Sequence, residues 1–110
     1  MCAWLARFRF SYSNEAELQE GVTGALLERS SWKPVREVRL GEAGRIDVLL
    51  ERIGVEIKVK GQTARVMAQL ERYAAREELD ALVLVTTRHR HRDAPLVLCG
   101  KPLHIVRVGA

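Results

Sequence analysis

Residues 45–60, Arg-Ile-Asp-Val-Leu-Leu-Glu-Arg-Ile-Gly-Val-Glu-Ile-Lys-Val-Lys, decide the fold that we expect for this chain. Apolar residues occupy alternate positions in both halves of this stretch, and such alternation is typical of two strands that each bury one face. We therefore predict a hairpin whose polar faces carry Asp47 from the first strand and Glu56 and Lys58 from the second. The predicted core positions are Ile46, Val48 and Leu50 in the first strand and Val55, Ile57 and Val59 in the second.

The length of the turn decides whether Asp47 meets Glu56 and Lys58, because a shift of one residue turns a strand over. An even-length connection, such as Arg52-Ile53, places Asp47 on the same side of the sheet as the other two, whereas an odd-length loop separates them. The apolar pattern favours the even case, since otherwise the core positions of the two strands would face apart. The hairpin is therefore expected to bring two carboxylates next to a lysine.

Length and charge set the class of protein. The chain has 110 residues, a mass of 12.4 kDa, a formal net charge of +4 and an isoelectric point near 9.5. This length predicts a single domain over residues 1–110, with residues 1–12 as an N-terminal arm or strand. The excess of positive charge, mostly arginine, suits contact with phosphates and favours a nucleic-acid partner.

Cysteine usage and hydropathy predict the compartment. Cys2 and Cys99 are too few for a disulfide framework and lack the spacing of a zinc site, so we expect a reduced chain in the cytoplasm. Arg7 and Arg9 interrupt the apolar residues near the N-terminus, and no cleavage-like ending follows, so no signal peptide is expected. No segment approaches the length of a membrane span, and we expect no membrane partner.

The rest of the pattern places helices and strands around the hairpin. Glu15 and Glu17 fall in the first turn of a helix that starts after Ser13-Asn14 and runs to about Ser30. The predicted class is α/β with the order α-β-β-β-α-β and a final strand. The other elements are a strand over 35–40, a turn over 41–44, a helix over 62–78, a buried strand over 81–87 and a last strand over 103–108.

The hairpin residues have the chemistry of a metal-dependent phosphodiesterase. Asp47 and Glu56 supply the hard oxygens that Mg²⁺ prefers, and the carbonyl of Ile57 is a further candidate ligand. Lys58 is about 7 Å along the strand from Glu56. From there it would hold or deprotonate an attacking water, or stabilise charge on the phosphate. The alternative interpretation is an edge hairpin whose polar face is only solvated.

This arrangement resembles the PD-(D/E)xK nuclease superfamily, which includes archaeal Holliday-junction resolvases, RecB-type nuclease domains and VRR-NUC domains. The family motif is an Asp on one strand, an acid-x-Lys on the next and an acid in a preceding helix. Asp47, Glu56 and Lys58 match it, and Ile46 replaces the usual proline. The resemblance covers about residues 14–87. It implies a restriction-endonuclease-like fold, with a mixed central sheet flanked by helices, and Mg²⁺ as cofactor with Mn²⁺ as a substitute.

Gln69 and Tyr73 resemble the Gln-x-x-x-Tyr element that RecB-type members carry on the helix after the lysine strand. Residues four apart share one helix face, so both would lie over the same site. We expect them to orient Lys58 or to contact DNA near the cut.

The helix acid of the family maps onto Glu15, three residues before the first core leucine of the first helix. Glu17 and Glu20 remain alternatives for this position. The resemblance thus implies a metal site formed by Glu15, Asp47, Glu56 and the Ile57 carbonyl.

A basic segment near the C-terminal third is predicted to contact phosphates through Arg88, Arg90 and Arg92, together with Lys60. The two histidines between these arginines form a poor metal clip, because the surrounding cations repel a metal ion.

These observations predict a hydrolase, namely a Mg²⁺-dependent DNA endonuclease that acts in DNA repair or recombination and is structure-specific or junction-resolving. Similarity to resolvases suggests a homodimer, because cuts on two strands need two sites. One alternative is a nuclease-fold nucleic-acid-binding subunit, with weak or no catalysis, in a repair or recombination complex. Another is a protein-interaction module, which would leave the polar face of the hairpin unexplained.

Overall fold

A computed structural model describes residues 15–29, 33–59, 63–87 and 97–108 of the chain. The described part is mixed α/β, which confirms the predicted class. The predicted arm over residues 1–12 lies outside the described residues. The helices are α1 (Glu15–Arg29) and α2 (Thr63–Ala74), and the strands are β1 (Val35–Arg39), β2 (Arg45–Leu50), β3 (Ile53–Lys58), β4 (Ala81–Thr86), β5 (Val97–Leu98) and β6 (Lys101–Arg107). A short 3₁₀ helix, Gly41–Ala43, links β1 to β2.

The strands form one mixed sheet in the order β1-β2-β3-β4-β6-β5. Strand β2 runs antiparallel to both β1 and β3, whereas β3, β4 and β6 run parallel to one another, with α2 as the connection from β3 to β4. The two-residue strand β5 pairs antiparallel with β6 and was not predicted, because so short a strand has no readable alternation. The parallel strands end at one edge of the sheet, where Lys58, Thr86 and Arg107 are in register.

Each face of the sheet is buried under one helix, which explains why β4 is apolar from Ala81 to Val85. Leu82 and Leu84 of β4 pack with α2, and Val83 and Val85 pack with α1. We call the group that contains Val83 and Val85 the α1-side core and the group that contains Leu82 and Leu84 the α2-side core. The helix residues in the α1-side core are Leu18, Val22, Ala25 and Leu26, and those in the α2-side core are Val66, Leu70, Tyr73 and Ala74.

The hairpin has the predicted even-length connection, although the loop is Glu51-Arg52, one residue earlier than Arg52-Ile53. Leu50 pairs with Ile53, so two residues form the turn. Glu51 has φ +56°, as tight hairpin turns of this kind require. The core positions of β3 are confirmed, because Val55, Ile57 and the neighbouring Val59 all pack in the α1-side core.

The prediction that Ile46 shares a face with Val48 and Leu50 is wrong. Ile46 packs in the α2-side core, whereas Val48 and Leu50 pack in the α1-side core. The alternation of β2 therefore breaks at Asp47. On the neighbouring strand β1, Glu37 has φ +55°, and the pairing passes from Arg36–Val48 to Val38–Ile46 around it.

The absence of a side chain at Gly54 makes room for the displaced Ile46. A methyl group at this position would overlap the end of Ile46 and would lie 3.0 Å from Leu82 and 3.1 Å from Leu79, all of which are buried. We expect Gly54→Ala to lower the free energy of unfolding by about 1–3 kcal/mol, because the core is already filled. Urea denaturation would measure this.

Gly24 on α1 provides the matched control for Gly54→Ala. An added methyl group at Gly24 meets nothing within 4 Å, so Gly24→Ala should stabilise the protein by about 0.5–1 kcal/mol through helix propensity. Equal stability of the two variants would show that Ile46 does not fill the space above Gly54.

Neither helix in the described parts of the chain is long and apolar enough to cross a membrane.

Candidate functional site

Asp47 and Glu56 form one hydrogen-bonded unit at the end of the β2–β3 ladder. Beyond the Val48–Val55 pair, the N–H of Asp47 donates to Glu56 Oε1 at 3.1 Å, and the N–H of Ile57 donates to Asp47 Oδ2 at 2.8 Å. Each carboxylate therefore accepts a backbone N–H from the opposite strand. The structure thus brings the two acids of the predicted hairpin together, at the point where the alternation of β2 breaks.

Burial gives Glu56 an unusual charge state. Glu56 is 1% exposed as a residue, and this desolvation, followed by the charge of Asp47, raises the pKa of Glu56 to about 8. Lys58 Nζ lies 3.6 Å from Glu56 Oε2, which acts in the opposite direction. Burial outweighs this ion pair, because the Lys58 side chain is 22% exposed and its charge is partly screened by water. At neutral pH the pair of carboxyl groups therefore retains a proton. This proton neutralises negative charge that a bound cation would otherwise neutralise.

Helix α1 reaches this site through Gln19. The side-chain Nε2 of Gln19 donates to the carbonyl of Asp47 at 3.2 Å, and the Thr23 hydroxyl donates to the carbonyl of Gln19 at 2.8 Å. Both polar side chains are 8% exposed. No pattern in the sequence indicated this contact, which joins residues 28 apart.

The helix-acid candidates are only partly described. Glu15 begins α1, one turn before Gln19 and on the same side of the helix, and its side chain lies outside the described residues. Glu17 and Glu20 are exposed. Glu15 therefore stays the predicted helix acid on the basis of its backbone position.

Helix α2 reaches the same segment of β2 from the other face of the sheet. Gln69 Nε2 donates to the Tyr73 hydroxyl at 2.9 Å, and that hydroxyl donates to the carbonyl of Arg45 at 2.9 Å. Tyr73 is fully buried, and this burial, followed by the charge of Glu56, raises the pKa of Tyr73 to about 12. Gln69 and Tyr73 therefore share a helix face and fix the backbone two residues before Asp47.

The C-terminal edge of the parallel strands adds two residues that the sequence did not identify. Thr86 is in register with Lys58, and Arg107 is in register with Thr86. Thr86 is fully buried and Arg107 is exposed. The parallel pairing of β3, β4 and β6 brings them into one row, and a hydrophobic pattern does not reveal that pairing.

Other predicted residues are not tested by the geometry. Lys60, Arg88, Arg90 and Arg92 lie outside the described residues. The Ile57 side chain is in the α1-side core and its N–H binds Asp47, so its carbonyl as a metal ligand remains a prediction.

Over the described ranges, no cluster of three or more His, Cys, Asp or Glu side chains is close enough to hold a metal ion. The open cavity of about 530 Å³ that is lined by Arg52, Arg76, Glu77 and Glu78 lies at the opposite end of β3 from Lys58.

A scan against protein-family models, a search of curated proteins and a search of solved structures each returned no match for this chain. The resemblance to the PD-(D/E)xK superfamily therefore depends on the motif residues themselves and on their arrangement at this site.

Proposed function

We propose that this protein is a Mg²⁺-dependent nuclease of the PD-(D/E)xK type, which hydrolyses phosphodiester bonds in DNA. The observation that carries the proposal is the hydrogen-bonded pair of buried Glu56 and half-buried Asp47, with the Lys58 ammonium beside it. A buried carboxylate next to a second carboxylate costs free energy in the absence of a counter-charge, and such a cost is typical of a functional site.

The donor set fits a divalent cation that prefers oxygen ligands. Two carboxylates at one point supply hard oxygens, and each of them accepts a backbone N–H from the opposite strand, which holds the pair in place. Asp47 and Glu56 would hold the ion, with the Ile57 carbonyl and Glu15 as further ligands. When bound, Mg²⁺ or Mn²⁺ would supply Lewis-acid polarisation of the phosphate and a lowered pKa for the attacking water.

Lys58 and the edge of the sheet are suited to a phosphate. The Lys58 ammonium stays close to Glu56, and from there it would stabilise negative charge that develops on a phosphate oxygen or hold the attacking water. Arg107 continues the row from Lys58 through Thr86, so a second cation lies two strands away on the same edge. The net charge of +4 supports a polyanionic substrate, and a homodimer would supply the two sites that paired cuts require.

A substrate panel tests the proposal directly. The purified protein is incubated with a four-way junction, a flap, single-stranded DNA, duplex DNA and RNA, in Mg²⁺, Mn²⁺ or EDTA. We expect metal-dependent cleavage of a DNA substrate, and Lys58→Ala should lack it. Slower migration of DNA without cleavage in any metal would favour the alternative of a nuclease-fold binding subunit in a repair or recombination complex. If the protein neither cleaves nor binds any of these substrates, both functions are refuted.

Gln69 and Tyr73 provide a prediction that separates their roles. Tyr73→Phe removes the part-buried hydrogen bond from the Tyr73 hydroxyl to the carbonyl of Arg45, so we expect a loss of about 0.5–1.5 kcal/mol in the free energy of unfolding. Gln69→Ala removes only the donor to that hydroxyl and should cost less. Both changes should lower kcat more than they raise KM for DNA, because they loosen the backbone next to Asp47 and not the DNA-binding surface. Wild-type kcat in both variants would contradict this role.

A further inference from the structure

We propose that Gln19 is a positioning residue whose side-chain amide sets the orientation of the Asp47 carboxylate. Its catalytic consequence rests on the function proposed above, but the positioning itself does not. The contact that carries the inference is the 3.2 Å hydrogen bond from Gln19 Nε2 to the carbonyl of Asp47.

The contact is made where β2 departs from regular strand geometry. Strict alternation would put the side chains of Ile46 and Val48 on the same face of the sheet. Instead, Ile46 packs in the α2-side core and Val48 in the α1-side core. The pairing with β1 steps around Glu37 at the same level. A backbone that turns at one residue needs an interaction that selects one orientation, and Gln19 supplies a hydrogen bond to the carbonyl of that residue.

Packing alone does not account for a glutamine at this position. Leu18, Val22 and Leu26 of the same helix are completely buried and apolar, and Gln19 is 8% exposed among them. A buried amide loses its hydration, which costs about 1–3 kcal/mol if its hydrogen bonds are not replaced. An apolar side chain would avoid that cost, so the hydrogen bond to Asp47 is the feature that distinguishes glutamine here.

The effect on the carboxylate follows from the bonds on both sides of Asp47. Its carbonyl is held by Gln19 of α1, and its Oδ2 accepts the N–H of Ile57 at 2.8 Å. Rotation of the Asp47 peptide would move the Cα–Cβ bond and pull Oδ2 away from that N–H. The Ile57 amide proton therefore reports the orientation of the carboxylate in the absence of metal and substrate.

The test compares Gln19→Met with Thr23→Val in the full chain without metal. Methionine keeps the length and volume of glutamine but lacks the N–H donor. Thr23→Val is the matched control, because it removes the neighbouring hydrogen bond to the Gln19 carbonyl and leaves the side-chain amide in place. We expect the Ile57 amide proton to shift upfield, and its hydrogen exchange to become about tenfold faster or more, in Gln19→Met alone. Gln19→Leu also lacks the N–H donor and should show the same change, which provides a second variant if Gln19→Met does not fold.

Two results would overturn the proposal. A wild-type Ile57 signal in the folded Gln19 variants would show that the amide does not orient Asp47, and an equal change in Thr23→Val would assign the effect to general loosening of α1. Cleavage is measured separately. We expect Gln19→Met to lower kcat about 10–100-fold with KM for DNA unchanged, since small misplacement of a reacting group has effects of this size. If the Ile57 signal changes as expected but the wild-type protein cuts no substrate, the positioning stands and the proposed nuclease function fails.

Discussion

Asp47→Asn is expected to reduce metal-dependent DNA cleavage by more than about a hundredfold, because changes outside the ligand shell of a metal site already cost 10–100-fold. Asparagine keeps the size of the side chain, and its amide oxygen can still accept the N–H of Ile57. The change therefore removes negative charge while it preserves the local hydrogen bonding. Circular dichroism and the midpoint of urea unfolding should stay close to those of the wild-type protein, and so should DNA affinity measured by fluorescence anisotropy in EDTA.

Asp80→Asn is the matched control for this substitution. Asp80 is an exposed carboxylate that pairs with Arg52 at 2.9 Å at the opposite end of the sheet, so it shares the chemical change but not the location. We expect cleavage by Asp80→Asn at the wild-type rate. Cleavage by Asp47→Asn at a rate within a few fold of the control would show that the Asp47 charge is not part of the site, and the proposed mechanism would fail.

The sequence predicted the hairpin because its information is local. Alternation over residues 45–60 was sufficient to choose an even turn, and the structure has the two-residue loop Glu51-Arg52. The same alternation was misleading at Ile46, because the face on which this side chain packs depends on a residue of another strand. Gly54 leaves a space that Ile46 fills from the α2 side of the sheet, and no pattern within β2 encodes that space.

The site shows the same division between local and distant information. Asp47 and Glu56 come together through strand pairing and were predicted, whereas the contact of Gln19 with Asp47 joins α1 to β2 and depends on how the helix packs. Thr86 and Arg107 join the edge only through parallel pairing across β4 and β6. A hydrophobic pattern identifies elements and their buried faces, but it does not specify which parallel strands are neighbours.

Glu56 connects the stability of the fold with the proposed activity. A carboxylate with 1% exposure beside a second carboxylate is unfavourable for a folded protein, and Lys58 offsets only part of that cost. Apolar residues at this position would stabilise the sheet more. Such a trade of stability for a charged site is common in proteins whose function requires the charge.

Glu56→Gln is therefore expected to abolish cleavage and, in metal-free buffer, to stabilise the fold at pH 7–8. The pKa of Glu56 is about 8 in the folded protein and about 4.5 in the unfolded chain. Between these values the unfolded chain releases a proton that the folded protein retains, so wild-type stability falls as pH rises through this window, with a slope that approaches about 1.4 kcal/mol per pH unit. Below pH 4.5 both states hold the proton, and above pH 8 the full cost is present. Glutamine does not titrate, and its Oε1 can still accept the N–H of Asp47.

Urea unfolding at half-unit steps from pH 5 to pH 9 in EDTA measures the free energy of unfolding of Glu56→Gln and of the wild-type protein. The advantage of Glu56→Gln should grow with pH and level off above pH 8. Glu78→Gln serves as the control, because the ion pair with Arg76 lowers the pKa of Glu78, and its contribution is therefore constant above pH 4.5. This control should keep the wild-type slope between pH 5 and pH 8. Mn²⁺ should then stabilise the wild-type protein much more than Glu56→Gln, since a ligand that binds only the folded state raises the free energy of unfolding. If the free energy of unfolding of Glu56→Gln has the same pH dependence as that of the wild-type protein, Glu56 is already ionised in the folded protein at neutral pH. Glu56 and Lys58 would then form a structural ion pair, and the proposal of a cation-binding site would fail.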